Sequence, residues 1–432
     1  MSQDHDDVRE AMARLCVVDN TDEGWSRRQV LAAALAGGAA AVLAGNTALG
    51  TRAAEAASVG GNLVLIQLAG GNDAFNMLPP TTGTLATQYR RARSDLAITN
   101  ALPARIGRGR PSGFGFHPAM PFVASQYRAG RVAVVRGVGY PNHSRSHFDA
   151  IATWMTGTTR GGMSSGGWIG RWLDTLPLPA ITDSVQIGYS IPPHMVGLTR
   201  KADSLDVWEP GFGTSDDDST QRALTTLDSF AASAESSGAL AVRFAHTMSN
   251  TVALNRTVAP LYRQTPALDG EGIEQRLLLA ARLLNAGLGI RVISTVHGDF
   301  DHHAGELGAH TDVLGSLDRG LQRFFSTLSP AMARRTTVMT FSEFGRKVHA
   351  NDSRGTDHGR AGHLLVLGSR VRGGMFGTHP SLTRLGDWDD PDPTVDFRSV
   401  YASVLRNWLR ANPRNILGAS YPTLNLFRAA PG

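Results

Sequence analysis

Histidines and acids in this chain gather in a few short stretches, each directly behind or close to an apolar run. Asn72 and Asp73 follow the run 62–68, and Tyr140 to His147 (with His143, Ser144, Arg145 and Ser146) follow 131–138. His297, Asp299, Asp301, His302 and His303 follow 290–296, and Glu343 and Arg346 follow 336–340. Asp357 and His358 come a few residues later. Seven of the 13 histidines beyond residue 56 lie in or beside these stretches, which a random scatter would not produce. Imidazole and carboxylate together suit Zn²⁺, Mn²⁺ or Mg²⁺. Each residue alone has a plainer reading. Asp73 sits in a glycine-rich turn, Ser144 and Ser146 precede a helical pattern as caps do, and His302 and His303 read as loop residues. Convergence on one edge is what favours a site.

The elements that must bring these stretches together are legible as pattern. The apolar runs 62–68, 131–138, 290–296, 336–340 and 364–367 read as buried strands, with helices over 120–129, 273–287, 311–328 and 400–409 between or after them. Strands alternating with helices of this length predict an α/β fold: a doubly wound, mostly parallel sheet with helices on both faces. In such a sheet ligands bind beyond the carboxyl ends of the strands, where the candidate residues fall. Residues 158–272 fit the alternation poorly and read as an insertion or cap, with an acidic tract at 215–219 and one polar helix after it.

The N-terminus carries a different message. Arg27-Arg28 precedes a weakly apolar, alanine- and glycine-rich segment from Val30 to about Leu49, and Ala54-Glu55-Ala56 has the small-x-small form of a cleavage site. This predicts a twin-arginine signal peptide over 1–56, a single domain over 57–432, and a periplasmic, cell-wall-associated or extracellular location. The translocase of that pathway is then a partner during export. No later segment has the length and apolarity of a membrane span. Cys16, the only cysteine, lies upstream of the cut, so the mature chain is expected to form neither a disulfide nor a thiolate metal site. The net charge is +5, carried almost wholly by scattered arginines, Lys201 and Lys347 being the only lysines. Nothing in that scatter predicts a nucleic-acid surface, while arginine pockets for anionic esters stay open.

Longer motifs carry a resemblance. The stretches LVLIQLAGGNDAFNMLPP (63–80), GRVAVVRGVGYPNHSRSHFDAIATWMTG (130–157), GDFDHHAGE, FSEFGRKV and GTDHGRAGHLLVLG resemble the twin-arginine-exported bacterial family known as domain-of-unknown-function 1501, a relative of the alkaline phosphatase and sulfatase superfamily. The resemblance implies an alkaline-phosphatase-like fold and roles by position. Asp73 would be a metal ligand after the first strand. Ser146, favoured over Ser144 by its distance from Thr156-Gly157, would be the nucleophile. Asp301 and His303, with Asp299 as the alternative acid, would bind the first metal together with His358. Where the superfamily has an Asp-His pair for a second metal, this chain has Glu343-Phe344, so the second site would keep only Asp73, Glu343 and a serine oxygen. The resemblance therefore implies one Zn or Mn ion with a weak second Mg or Ca. It implies a metal-dependent hydrolase of small anionic phosphate or sulfate esters, with Arg145 or Arg346 steadying the anion. The alternative is a non-catalytic exported protein that keeps the fold and at most one structural metal, and binds or assembles with an envelope protein partner.

Overall fold

The computed structural model describes residues 60–158, 166–176, 183–207, 221–227, 229, 249, 252–262 and 272–428. The stretch 1–56 expected to be a signal peptide and the acidic tract at 215–219 lie outside them.

Nine strands form one sheet: β1 (Asn62–Leu68), β2 (Val132–Gly139), β3 (Ser184–Ile187), β4 (Asp203–Leu205), β5 (Val292–His297), β6 (Thr336–Phe341), β7 (Gly362–Leu367), β8 (Gly374–Phe376) and β9 (Val395–Asp396). Their spatial order is β8-β2-β7-β6-β1-β5-β3-β4, with β9 also pairing β2. β7 runs antiparallel to both its neighbours, β2 and β6, and the other pairings are parallel. β1 lies in the interior, buried at every position, which explains why it reads as an unbroken apolar run and not an alternating one.

Alternation nonetheless decides what each face of β1 meets. Val64, Ile66 and Leu68 join a core with α3 (Pro121–Arg128), α5 (Ile273–Asn285) and α6 (Glu306–Thr327). Leu63 and Leu65 join the opposite core with α4 (His147–Thr156) and α7 (Phe397–Asn407). Two short helices, α1 (Ala74–Met77) and α2 (Gly83–Arg93), follow β1 directly. The doubly wound α/β arrangement expected from the pattern is the one observed.

Two features differ from expectation. Inside 158–272, β3 and β4 extend the main sheet beyond β5 in parallel register. They are four and three residues long and carry Ser184, Gln186, Asp203 and Ser204, so no apolar run announced them. α6 begins at Glu306, five residues before the expected start, because Gly305 caps it in a left-handed conformation (φ 58°). Its first turn, Glu306-Leu-Gly-Ala309, has no apolar periodicity to signal a helix.

The parallel direction of β1, β2, β5 and β6 brings their C-terminal loops to one edge of the sheet. Because β7 is antiparallel, the loop leading into it, 347–361, arrives at that same edge. His358 reaches the others this way, although it precedes its strand.

Candidate metal centre

Four side chains meet at this edge: His147 from the start of α4, Asp301 and His303 from the loop after β5, and His358 from the loop before β7. His147, Asp301 and His358 offer ligand atoms that all lie within 4.8 Å of one another. His303 Nε2 stands 3.1 Å from Asp301 Oδ1 and 3.0 Å from His358 Nε2. His358 Nε2 is 3.0 Å from Asp301 Oδ1, and His147 Nε2 is 3.5 Å from Asp301 Oδ2.

The outer nitrogens determine what the inner ones can do. His147 Nδ1 donates to Glu343 Oε1 at 2.9 Å. His358 Nδ1 donates to the Arg145 carbonyl at 3.0 Å, and His303 Nδ1 to Asp357 Oδ1 at 3.4 Å. A neutral imidazole carries one N–H, so each ring turns a lone pair on Nε2 toward the Asp301 carboxylate. Lone pairs of this kind repel unless a proton or a cation sits among them. His147 Nε2 is buried without a hydrogen-bond partner at normal distance. Around tetrahedral zinc, bonds of about 2.0–2.1 Å place ligand atoms about 3.3 Å apart. The observed 3.0–3.5 Å separations bracket that value. The His147–Glu343 contact is also the carboxylate–histidine pairing that orients metal-binding imidazoles. The residues present therefore fit a zinc-like ion.

The electrostatics agree. Burial alone would raise the Asp301 carboxyl, but the adjoining imidazoles of His147, His303 and His358, which can take up protons, and the charge of Arg346 hold it well below the usual carboxylate range. Burial opposes charge on His147, yet the Asp301 and Glu343 carboxylates beside it outweigh that and push its pKa up to about 9. His303 is raised chiefly by its bond to Asp301. A pocket that binds protons this well is a pocket for a cation.

The structure separates the remaining candidates. Ser146 holds the N-cap position of α4 but makes no side-chain capping bond, and it is exposed. Ser144, by contrast, is committed locally: its Oγ accepts from Ser146 N at 3.1 Å and donates to Asp149 Oδ2 at 3.1 Å. Asp299 is exposed, in a left-handed conformation (φ 68°), and Asp301 is the acid brought to the cluster.

Three further expected residues are held in contacts of their own. Asp73 caps α1, accepting from Phe75 N at 3.1 Å, and pairs with the buried Arg93 at 2.8 Å. Arg93 comes from the last turn of α2, so Asp73 is turned toward that helix and away from a ligand's role. Glu343 stands behind His147, also accepting from Gly70 N at 2.7 Å. Asp73 Oδ1 and Glu343 Oε1, two of the oxygens expected for a second site, are thus engaged by Arg93 and by His147 and Gly70. Arg346, 1 % exposed, donates to the carbonyls of Gly71, Thr356, Phe300 and Gly70 and pairs with Asp301 Oδ1 at 2.5 Å. It pins three loops together and turns its charge on Asp301 from a buried position. Phe344 stacks on His358 and His147, with ring centroids 4.3 and 4.7 Å away.

His147 is the ligand candidate that the sequence did not single out. Its signal was its place directly after the favoured serine, at the first position of a helix that starts from a strand end.

Fold and cluster together define an α/β protein with a histidine–aspartate cluster that could hold a metal ion at the carboxyl edge of its sheet. The chain belongs to the family described as protein of unknown function (DUF1501), whose model matches residues 61–387. No curated protein matches it. Among solved structures it is similar to a protein in the alkaline phosphatase superfamily from Vibrio parahaemolyticus, with 9% identity, 85% of this chain and 71% of that one covered, and a TM-score of 0.37. It is also similar to the lipoteichoic acid synthase LtaP from Listeria monocytogenes, with 10% identity, 75% and 67% covered, and a TM-score of 0.29. Among the described residues no helix is long and apolar enough to cross a membrane.

Proposed function

We propose that this protein is an exported metal-dependent hydrolase of small phosphate or sulfate esters, with Ser146 as the nucleophile. The observation that carries the reading is one junction: the residue after the exposed Ser146 is His147, whose Nε2 faces Asp301 among the other imidazoles.

A single zinc-like ion would be held by His147, Asp301, His303 and His358. When bound it supplies positive charge that stabilises a serine alkoxide and the ester's oxygens. The chain's own residues do the positioning. Glu343 fixes the tautomer of His147, and the Arg145 carbonyl fixes that of His358. Arg346 balances the charge of Asp301 from beneath. Ser146 sits where α4 presents its first-turn N–H groups, a favourable place for an anionic group. Arg145 is half-buried beside it and is the arginine left to meet an anion.

Purified protein assayed on aryl phosphates and aryl sulfates with added divalent metals tests this. Ser146→Ala is expected to abolish turnover, and Ser144→Ala to spare much of it. Undiminished turnover in Ser146→Ala would remove the nucleophile assignment. Loss only in Ser144→Ala would move it two residues.

One observation favours a second reading. Phe344 lies against His147 and His358 where an Asp-His pair would serve a second metal, in a family of chemistry that often shares oxygens between two. A non-catalytic binding or assembly protein for the envelope, keeping one structural metal, would look the same. Bound metal with no turnover on any ester would select it. Export rests on Arg27 and Arg28, and replacing both with Lys is expected to leave the protein inside the cell, read by fractionation. No nucleic-acid partner is part of either reading.

A further inference from the structure

One exposed aromatic residue stands beside this site and is not part of it. Trp388 is 71% exposed, and the Arg145 guanidinium lies over its ring at 4.8 Å. Arg145 is the residue before Ser146, and its carbonyl accepts from His358 Nδ1 at 3.0 Å, so one residue ties the indole to the cluster. Trp388 is also held in the left-handed region (φ 65°), and so is Asp389 after it (φ 59°). Bulky side chains avoid that conformation, and two in succession need a surrounding structure that imposes it. The loop supplies one: Gly386 N donates to Asp390 O at 2.9 Å, and the fully buried Asp390 meets Arg360 Nε at 3.3 Å and Arg145 Nε at 3.8 Å. The strain does not bury the indole. It displays it.

The surroundings narrow what could lie on it. Asp387 (88% exposed) and Asp392 (64%) flank Trp388 together with the exposed Asp389. With Asp390 these carboxyls outnumber Arg145 and Arg360, so the rim is acidic and repels a polyanion. A flat apolar indole face bordered by hydrogen-bond acceptors matches a carbohydrate ring, which presents C–H patches on its face and hydroxyl donors around its edge. Arg145, between indole and serine, is the bridge from ring to ester.

We infer that Trp388 and its flanking acids are the leaving-group subsite, and that the substrate is a sugar ring carrying a single phosphate or sulfate ester. This rests on the hydrolase reading and names its substrate class.

Calorimetric titration of the Ser146→Ala protein, which cannot turn over, tests it. The probes are the 6-phosphates and 6-sulfates of glucose, galactose and N-acetylglucosamine, set against methyl phosphate, methyl sulfate, the unesterified sugars and heparin. At least one sugar monoester is expected to bind ten times more tightly or better than its methyl counterpart. Trp388→Ala should shrink that ratio below about twofold, and Trp388→Tyr should restore most of it. Trp388→Gly, which suits the left-handed backbone, should behave as Trp388→Ala and so separates a lost ring from a misfolded loop. An unchanged ratio in Trp388→Ala, or tighter binding of heparin than of every monoester, overturns the subsite. Binding of methyl esters without any sugar preference overturns it too, while leaving the hydrolase reading in place. Unesterified sugars that bind through Trp388 while no ester gains on them would keep the platform and remove the ester. No binding by any probe ends both.

Discussion

Two groups of acids and histidines lie near the same sheet edge, and they have opposite fates. In the first, His147, His303 and His358 turn their Nε2 lone pairs on Asp301. In the second, Asp73, Glu306, His310 and Asn72 are buried together with Arg93. There the charges are settled internally. Arg93 meets Asp73 at 2.8 Å, His310 Nε2 donates to Asn72 Oδ1 at 3.0 Å, and Thr356 Oγ1 donates to Glu306 Oε2 at 2.6 Å. Burial, then the nearby charge of Asp73, pushes Glu306 up to about 9, so it keeps a proton and shares it with Asp73. Burial holds His310 down to about 3, hence neutral. The lesson is that residue type at a strand end does not make a ligand site. What matters is whether the imidazoles have partners of their own on the inner side, as His310 has in Asn72, or still face a shared carboxylate, as His147, His303 and His358 do.

The strongest way to break the contrast is Arg93→Ala. It strands Asp73 in the interior, and the loss of one partner of a buried pair costs about 3–5 kcal/mol. Urea unfolding should show that loss, and a loss below about 1 kcal/mol would mean that the buried group is not held together by charge. In the exposed cluster the effect should fall on metal, not on folding. His303→Ala or His358→Ala should take bound transition metal from about one equivalent per chain to near none after dialysis, by elemental analysis. Two equivalents in the parent protein would contradict the one-metal reading.

A smaller effect is expected from Glu343→Gln. The amide keeps the shape but turns a charged acceptor into a neutral one, and such changes behind a ligand cost roughly 10–100-fold in metal affinity. Competition with a chelator would measure it, and no change would return Glu343 to a purely structural place. The mildest change is Glu306→Gln. A carboxyl raised in the folded state from its ordinary 4.5 stabilises the protein fully below that ordinary value and loses its contribution as pH rises toward about 9. Stability measured from pH 5 to 9 should therefore decline less in Glu306→Gln than in the parent. An equal decline would show that Glu306 does not hold the proton.

Much of this was legible in the chain. β1, β2, β5 and β6 are interior strands, and burial on both faces makes them apolar runs that no other element imitates. Asp301, His303 and His358 could be read as a group because strand ends must meet at one edge. The contacts of Asp73, Glu343 and Arg346 were not legible, for a common reason. Their roles are set by partners 20 to 276 positions away, such as Arg93, His147 and the Gly70 carbonyl, and local pattern carries no trace of those. His147 was passed over for the same reason, since it is a ligand candidate only once Glu343 has turned its ring. β3 and β4 escaped because strands of four and three residues that include Ser184, Gln186, Asp203 and Ser204 are too short to show an apolar run.

The antiparallel strand β7 has a consequence for how the molecule comes together. On one side of the sheet, β2 is hydrogen-bonded to β7, β8 and β9, all of which follow it in the chain. Its link to the rest of the sheet runs through β7 alone, which begins roughly 220 residues after β2 ends. While the chain is still being made, β1 and β2 therefore belong to separate fragments, and α4 with His147 hangs on the unjoined one. β7 is the keystone that closes a very long loop, a step of the kind that slows folding. Since His358 arrives four residues ahead of β7, the last ligand and the last interior strand are delivered by the same stretch of chain. The four side chains of the metal centre can first meet when that strand docks.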